Sequence, residues 1–177
     1  MADVSVRPAR PEDAERIAQV QLATWREAYV GLLPPETLDT PLVQVAAVWL
    51  NAIETRAPRT RVLVAMDRAE LVGFLASAPT GDEDLSGEVE VSALLVEPRW
   101  GRRGHGSRLL AAAVEHWRAD GEAAVVVWTW EDEPALSGFL EGAGWAPDGR
   151  ARILDVGPRL QRQVRWHTDL QEHARTD

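Results

Sequence analysis

Residues 99–110, RWGRRGHGSRLL, set Arg99, Arg102, Arg103 and Arg108 among Gly101, Gly104 and Gly106, and an apolar helical pattern starts directly behind them. A helix N-terminus leaves backbone N–H groups without intrahelical partners and carries a partial positive charge. Glycines in front of it let a ligand approach the main chain and permit positive φ. Together these make a cradle for an anion, phosphate above all, to which arginines add charge-assisted hydrogen bonds. The plainer alternative is a glycine-rich turn with solvated arginines. Two phosphate loops are set aside: no Gly-Lys-Ser/Thr ending is present, and the three glycines have the wrong spacing for a dinucleotide fingerprint. Ser107 stands where a first-turn hydroxyl could bond a phosphate or cap its own helix. His105, between the glycines, is expected to pack or hydrogen-bond locally.

The chain around this loop carries a net charge of −9, which argues against broad contact with nucleic acid or anionic membranes. It has no cysteine, which removes disulfides, thiolate nucleophiles and Cys-based metal sites, and its four histidines have no metal-site spacing. No basic-then-apolar leader and no apolar run of membrane-spanning length is seen, so the expectation is a soluble cytoplasmic protein. Eight tryptophans are a high count for 177 residues. Most are expected in the core, with some free to line a pocket.

The elements that must position the loop follow from periodicity and punctuation. Residues 4–9 alternate into a proline and read as a first strand. A helix opens at Pro11 with Glu12 and Asp13, carries Ala14, Ile17, Ala18, Trp25 and Ala28 on one stripe, and stops at Gly31 and Pro34-Pro35. A second helix is predicted from Pro35 or Pro41 to Arg56. Residues 61–66 and 70–79 form an antiparallel hairpin. An acidic loop, 80–87, precedes a long strand, 88–98. After the glycine loop, Leu109, Leu110, Ala113, Val114 and Trp117 mark an amphipathic helix. Residues 123–130 are a buried strand, 133–145 a short helix, and 151–156 and 161–170 two closing antiparallel strands joined around 157–159. The fold class is α/β of the α+β kind, a mixed and mostly antiparallel sheet of about seven strands with about four helices. The order is β-α-α-β-β-β-α-β-α-β-β, with one parallel crossover over 88–130. One domain over 1–170 and a polar tail, 171–177, are expected.

The segment LLVEPRWGRRGHGSRLL resembles the acyl-CoA-binding core of the GNAT superfamily of N-acyltransferases. There an apolar-apolar-Val strand end and a proline precede Gln/Arg-x-x-Gly-x-Gly/Ala and a helix. Here Leu94, Leu95 and Val96 end the strand, Pro98 follows, Gly101 takes the Gln/Arg position, and Gly104 and Gly106 match the two small residues. The resemblance continues in EPALSGFLEGAGW, where Phe139, Gly144 and Trp145 fit the family's Asn-x-x-Ala-x-x-Phe-Tyr-x-x-x-Gly-Phe. Glu133 replaces the asparagine and Leu140 the tyrosine. TWREAYVGLLPPETL, 24–38, also resembles the first helices of one GNAT subgroup.

The resemblance implies direct transfer of an acetyl group from acetyl-CoA, a co-substrate, to a primary amine, with no metal. It implies that Leu94, Leu95, Val96, Arg102, Arg103, Gly104, His105, Gly106, Ser107, Glu133 and Phe139 hold the coenzyme, with backbone at Leu94 to Val96 facing the thioester. The attacking amine must first lose a proton, since its pKa lies near 10, and a carboxylate can take it. Glu90 is the candidate base, and Glu88 is second. Strict alternation puts Glu88, Glu90, Ser92 and Leu94 on one face. The plainer reading of both glutamates is a solvated strand edge. Tyr29, the chain's one tyrosine, either protonates the departing thiolate or shapes the acceptor pocket. Trp25 and Trp128 are candidate pocket residues with core filling as the alternative, and Glu131, Asp132 and Glu133 either attract a cationic acceptor or form a solvated acidic turn. The acceptor is a small molecule or a protein amine, and the late strands are compatible with a homodimer. A CoA-binding module of the same fold without transferase activity is the alternative function.

Overall fold

The computed structural model describes residues 4–81, 88–156 and 160–170. The acidic loop at 82–87, the connection at 157–159 and the tail at 171–177 lie outside the described residues. The strands are β1 Val4–Pro8, β2 Arg61–Asp67, β3 Glu70–Pro79, β4 Val89–Val96, β5 Ala124–Trp130, β6 Ala146–Asp155 and β7 Leu160–Asp169. The helices are α1 Ala14–Ala28, α2 Pro35–Leu38, α3 Leu42–Thr55, α4 His105–Ala119 and α5 Pro134–Gly142. The seven strands form one sheet in the order β1-β2-β3-β4-β5-β7-β6, and only β4 and β5 pair in parallel. The mixed α/β architecture and its element order are those the sequence predicts.

Three boundaries differ, each for a local reason. Residues 11–13 form a 3-10 turn rather than the first turn of α1. The predicted second helix is two: α2 is a single short turn, and Pro41 starts α3 with its fixed φ of −57°. β6 begins five residues earlier than predicted, because a register shift between Pro147 and Ala151 lets a segment with a glycine and a proline stay paired with β7.

The sheet carries helices on both faces. α1 and α3 cover Val64, Leu71, Phe74 and, less deeply, Ala93 and Leu95. α4 and α5 cover Leu63, Val72, Leu75, Val89, Val91 and, less deeply, Leu94 and Val96. Trp117 of α4 is wholly buried there, its indole N–H donating to the Ser77 hydroxyl at 3.0 Å.

β4 is where the sheet makes room for a site. Ser77 of β3 faces Val91, but its neighbour Ala76 faces Ala93, so Ser92 is an extra residue, a β-bulge. Its hydroxyl donates to the Ala76 carbonyl at 3.3 Å. The bulge resets the alternation. Glu90 shares the α1–α3 face with Ala93 and Leu95, while Leu94 and Val96 lie on the α4 face. The expectation that Glu90 and Leu94 share a face is therefore wrong, because strict period-2 counting fails across an inserted residue. Pairing of β4 with β5 also stops at the bulge: Val89, Glu90 and Val91 meet Val125, Val126 and Val127, and nothing beyond is paired.

Beyond the bulge β3 and β4 close up again at Gly73. A Cβ there would stand 2.8 Å from the Leu95 carbonyl oxygen and 3.0 Å from Val96 Cγ2. Gly73→Val is accordingly expected to cost about 2–3 kcal/mol. A drop in calorimetric melting midpoint of about 4–10 °C reads this, and an unchanged midpoint would show that the two strands have room to part.

Candidate active site

The glycine loop is built by its own side chains. Pro98–Trp100 form a 3-10 turn, Arg102 takes φ 60° and Gly104 φ 81°, and α4 starts at His105. Gly104 is the residue that caps α4, and no side chain bonds there. Ser107 stands in the first helical turn, past the cap position that Gly104 holds, and it lines the cavity described below. Arg108 donates to the Arg103 carbonyl at 3.0 Å and straps the loop. The Arg103 guanidinium lies 4.9 Å from the centre of the Trp100 ring.

His105 is 2% exposed, and neither of its ring nitrogens has a hydrogen-bond partner. Its Nε2 is 3.5 Å from an Asp67 carboxylate oxygen, and Trp100 meets the ring edge-on at 6.1 Å. Burial holds the imidazole below its ordinary pKa, against the pull of Asp67. A Cβ on Gly106 would reach the Phe139 ring at 3.7 Å and Val96 Cγ2 at 3.9 Å, so α4 enters flush against α5 and the free edge of β4.

A cavity of about 1190 Å³ runs from this loop along the edge of β4 that β5 leaves unpaired, Ser92 to Val96, to the C-terminal end of α1. Arg102, Gly104, His105, Gly106, Ser107, Glu133 and Phe139 line it. Arg103 does not; it stacks on Trp100 instead. At the far end stand Trp25, Tyr29, Trp128 and Glu133. Trp25 and Trp128 are half-buried and face the cavity rather than filling the core.

Tyr29 is placed by the way α1 stops. Its N–H bonds the Trp25 carbonyl at 2.8 Å, and its own carbonyl accepts from Leu32 and Leu33, both at 3.0 Å, ahead of Pro34. The phenol then donates to Glu133 Oε1 at 3.0 Å across 104 residues of sequence. Burial pushes the Tyr29 phenol well above its ordinary value, and the Glu133 charge adds to this. Burial also raises the Glu133 carboxyl, although the bonds from Tyr29 and the Trp130 backbone oppose it. The acidic turn thus divides: Glu131 and Asp132 are exposed, while Glu133 turns inward.

Glu90 is half-buried beside Val91 and does not line the cavity. Glu88 lies before the first residue of β4. Sequence reasoning missed Gln21, Trp49, Trp130 and Gln163, which all line the cavity. Trp130 was findable, two residues beyond Trp128 on the same strand face. Gln21 and Trp49 carried no signal, since the bond from the Trp49 indole to Gln21 Oε1, 2.7 Å, joins two separate helices.

Residues 58–147 match the family model of the acetyltransferase (GNAT) domain. The chain belongs to the GNAT acetyltransferase family. Among curated relatives it is 26% identical to a protein of Mycobacterium tuberculosis named "Probable N-acetyltransferase", over 92% of this chain and 97% of that one. It is 40% identical to the mycothiol acetyltransferase of Kineococcus radiotolerans, over 61% of this chain and 32% of that one. Among solved structures, the PaiA N-acetyltransferase of Thermoplasma acidophilum in complex with coenzyme A aligns with TM-score 0.75 at 16% identity, covering 94% and 99% of the two chains. YncA of Salmonella typhimurium with acetyl-CoA aligns with TM-score 0.72 at 17% identity, covering 98% of each chain. Those two likenesses concern the fold. As a GNAT acetyltransferase the protein is an enzyme that transfers an acetyl group from acetyl-CoA to an amine.

The GNAT loop fits the coenzyme. The helix entry has no side-chain cap, the orphaned imidazole of His105 sits within it, and a side chain at Gly106 would occupy the space in front of Phe139. The family match begins at residue 58, so α1 with Trp25 and Tyr29 falls outside it. Among the described residues no helix is long and apolar enough to cross a membrane, and none form a group of three or more metal-binding side chains.

Proposed function

We propose that this GNAT enzyme, one domain over 1–170, binds acetyl-CoA along the free edge of β4 and acetylates a primary amine that enters at the α1 end of the cavity. The observation that carries it is the continuity of one cavity from the glycine loop, past the unpaired backbone of Ser92 to Val96, to the Tyr29–Glu133 pair. The N–H groups of the α4 entry, with Arg102 and Ser107, take the pyrophosphate. Arg103 adds charge from its seat on Trp100. Leu94, Leu95 and Val96 lie along the pantetheine arm, with Phe139 across from it. Acetyl-CoA supplies the acyl group as a thioester with a good leaving group.

The proton on the acceptor ammonium falls to Glu133. Among the described residues it is the one carboxylate lining the cavity, and its raised pKa makes it the better base. Glu90, on the α1–α3 face next to Val91, remains the second carboxylate, acting through water. Tyr29 serves as a positioning residue. A phenol pushed above its ordinary value near 10 gives its proton to a thiolate of ordinary pKa near 8.5 only uphill.

Isothermal titration with acetyl-CoA tests the reading. Binding at about micromolar Kd is expected, weakened little for dephospho-CoA and lost for adenosine, which lacks the pyrophosphate. No heat with acetyl-CoA would leave the loop a helix entry without a guest.

A further inference from the structure

The acceptor end of the cavity is unlike a site for polycations. It is walled by Trp25, Tyr29, Trp128 and Trp130, and among the described residues Glu133 is the one lining carboxylate. Behind the wall the Arg152 and Arg165 guanidiniums lie 4.3 and 5.7 Å from the centre of the Trp128 ring. The exposed acids nearby are already paired, Glu131 with Arg162 and Asp148 with Arg165 at 2.6 Å, so neither is left to receive a second cation.

The two glutamines of this end point the same way. Gln163 Oε1 accepts from Arg152 at 2.8 Å, and Gln21 Oε1 accepts from the Trp49 indole at 2.7 Å. Each therefore has its amide NH2 left as the polar group to offer, a donor that suits a neutral oxygen and not a second ammonium. A polyamine or aminoglycoside would bring several cations to a wall whose one lining carboxylate, among the described residues, is Glu133.

We propose that the acceptor is a monocationic primary amine with a flat apolar body, its ammonium received by Glu133 and its body laid among Trp25, Trp128 and Trp130. Aromatic faces give large contact area at low entropic cost and attract a single cation. The net charge of −9 by itself would favour polycations, but the local wall opposes them. This assignment rests on the acetyl-transfer reading above.

The test follows free-thiol release from acetyl-CoA with phenethylamine, tryptamine, spermidine and kanamycin, beside titration of acetyl-CoA alone and of each amine onto CoA-loaded enzyme. The two aromatic monoamines are expected to exceed spermidine and kanamycin in kcat/KM by about 30-fold or more. Glu133→Gln is expected to weaken binding of phenethylamine about tenfold while acetyl-CoA binding holds. Equal or better turnover of spermidine or kanamycin overturns the assignment. So does a failure of both monoamines to bind or react when acetyl-CoA binds normally. A failure of acetyl-CoA itself to bind overturns the acetyl-transfer reading, and the acceptor assignment falls with it.

Discussion

Glu133→Gln is expected to lower kcat about a hundredfold or more, the usual worth of a positioned general base, while Kd for acetyl-CoA stays within about threefold. Glutamine keeps the size of the side chain, and its amide oxygen can still accept the Tyr29 phenol. What it loses is basicity. Glu90→Gln is the comparison: its side chain lies beside the cavity and not in it, so a smaller loss is expected. A larger loss for Glu90→Gln than for Glu133→Gln would move the proton-accepting role to β4. The pH profile separates the roles further. A base works as carboxylate, so activity is present above its pKa and lost as pH falls through it. Burial raises the Glu133 carboxyl, which places the acid limb of kcat/KM above the ordinary glutamate value near 4.3. Glu133→Gln should abolish that limb. Tyr29→Phe removes a bond that opposes the rise and should move the limb to higher pH. A Tyr29→Phe profile that keeps its limb in place would reduce Tyr29 to a wall of the pocket.

The part of this site that lay open in the sequence is the part built from consecutive residues. Pro98, Gly104, Gly106 and the stripe from Leu109 to Trp117 announce a loop and helix whose chemistry is local, because helix ends leave their donors unpaired whatever the rest of the chain does. The hairpin of β2 and β3, and the parallel step from β4 to β5, follow in the same way from alternation and from a helix between two strands. Ser92 marks the limit. A bulge depends on how two strands meet, and one extra residue reverses the facing of everything after it. The face assigned to Leu94 relative to Glu90 was lost there, and with it the argument that set Glu90 toward the acyl chemistry.

The acceptor end was legible only in pieces. Tyr29, Trp25 and Trp128 stood out by type, but the bond from Tyr29 to Glu133 spans 104 residues, and no spacing rule reaches that far. Glu131, Asp132 and Glu133 look alike in a row, and only packing at the entrance of α5 tells the inward one from two exposed neighbours. The negative charge of the whole chain favours cationic acceptors, yet among the described residues lining the cavity Glu133 is the one acid. Net charge governs long-range attraction, and the few groups in the wall govern what fits.

Gly104→Val is the second large effect to expect, a fall in acetyl-CoA affinity of about 30-fold or more, from the strain of a β-branched residue at positive φ and the loss of an anion site shaped by that backbone. Gly104 holds φ 81°, a region L-residues enter only at about 1–2 kcal/mol. Its Cβ would also stand 3.1 Å from Arg108 Nη1, the group that bonds the Arg103 carbonyl and straps the loop. The chain can relieve the strain by rotating the peptide planes on either side, and that turns the first N–H groups of α4 away from a phosphate. Leu109, Leu110, Ala113 and Trp117 remain buried in the sheet's α4 face, so the helix should persist and the melting midpoint should fall only a few degrees, about what 1–2 kcal/mol produces in a chain of this size. Gly106→Ala is the companion. Its Cβ would make ordinary contacts of 3.7 Å with Phe139 and 3.9 Å with Val96, so folding should be unaffected, and any loss of affinity reports space taken from the ligand. Titration of both variants with acetyl-CoA and with adenosine, alongside calorimetry, distinguishes the two effects. Unaltered acetyl-CoA affinity in Gly104→Val would mean that the loop backbone is not what holds the pyrophosphate, and Arg102 and Arg103 would then have to carry it.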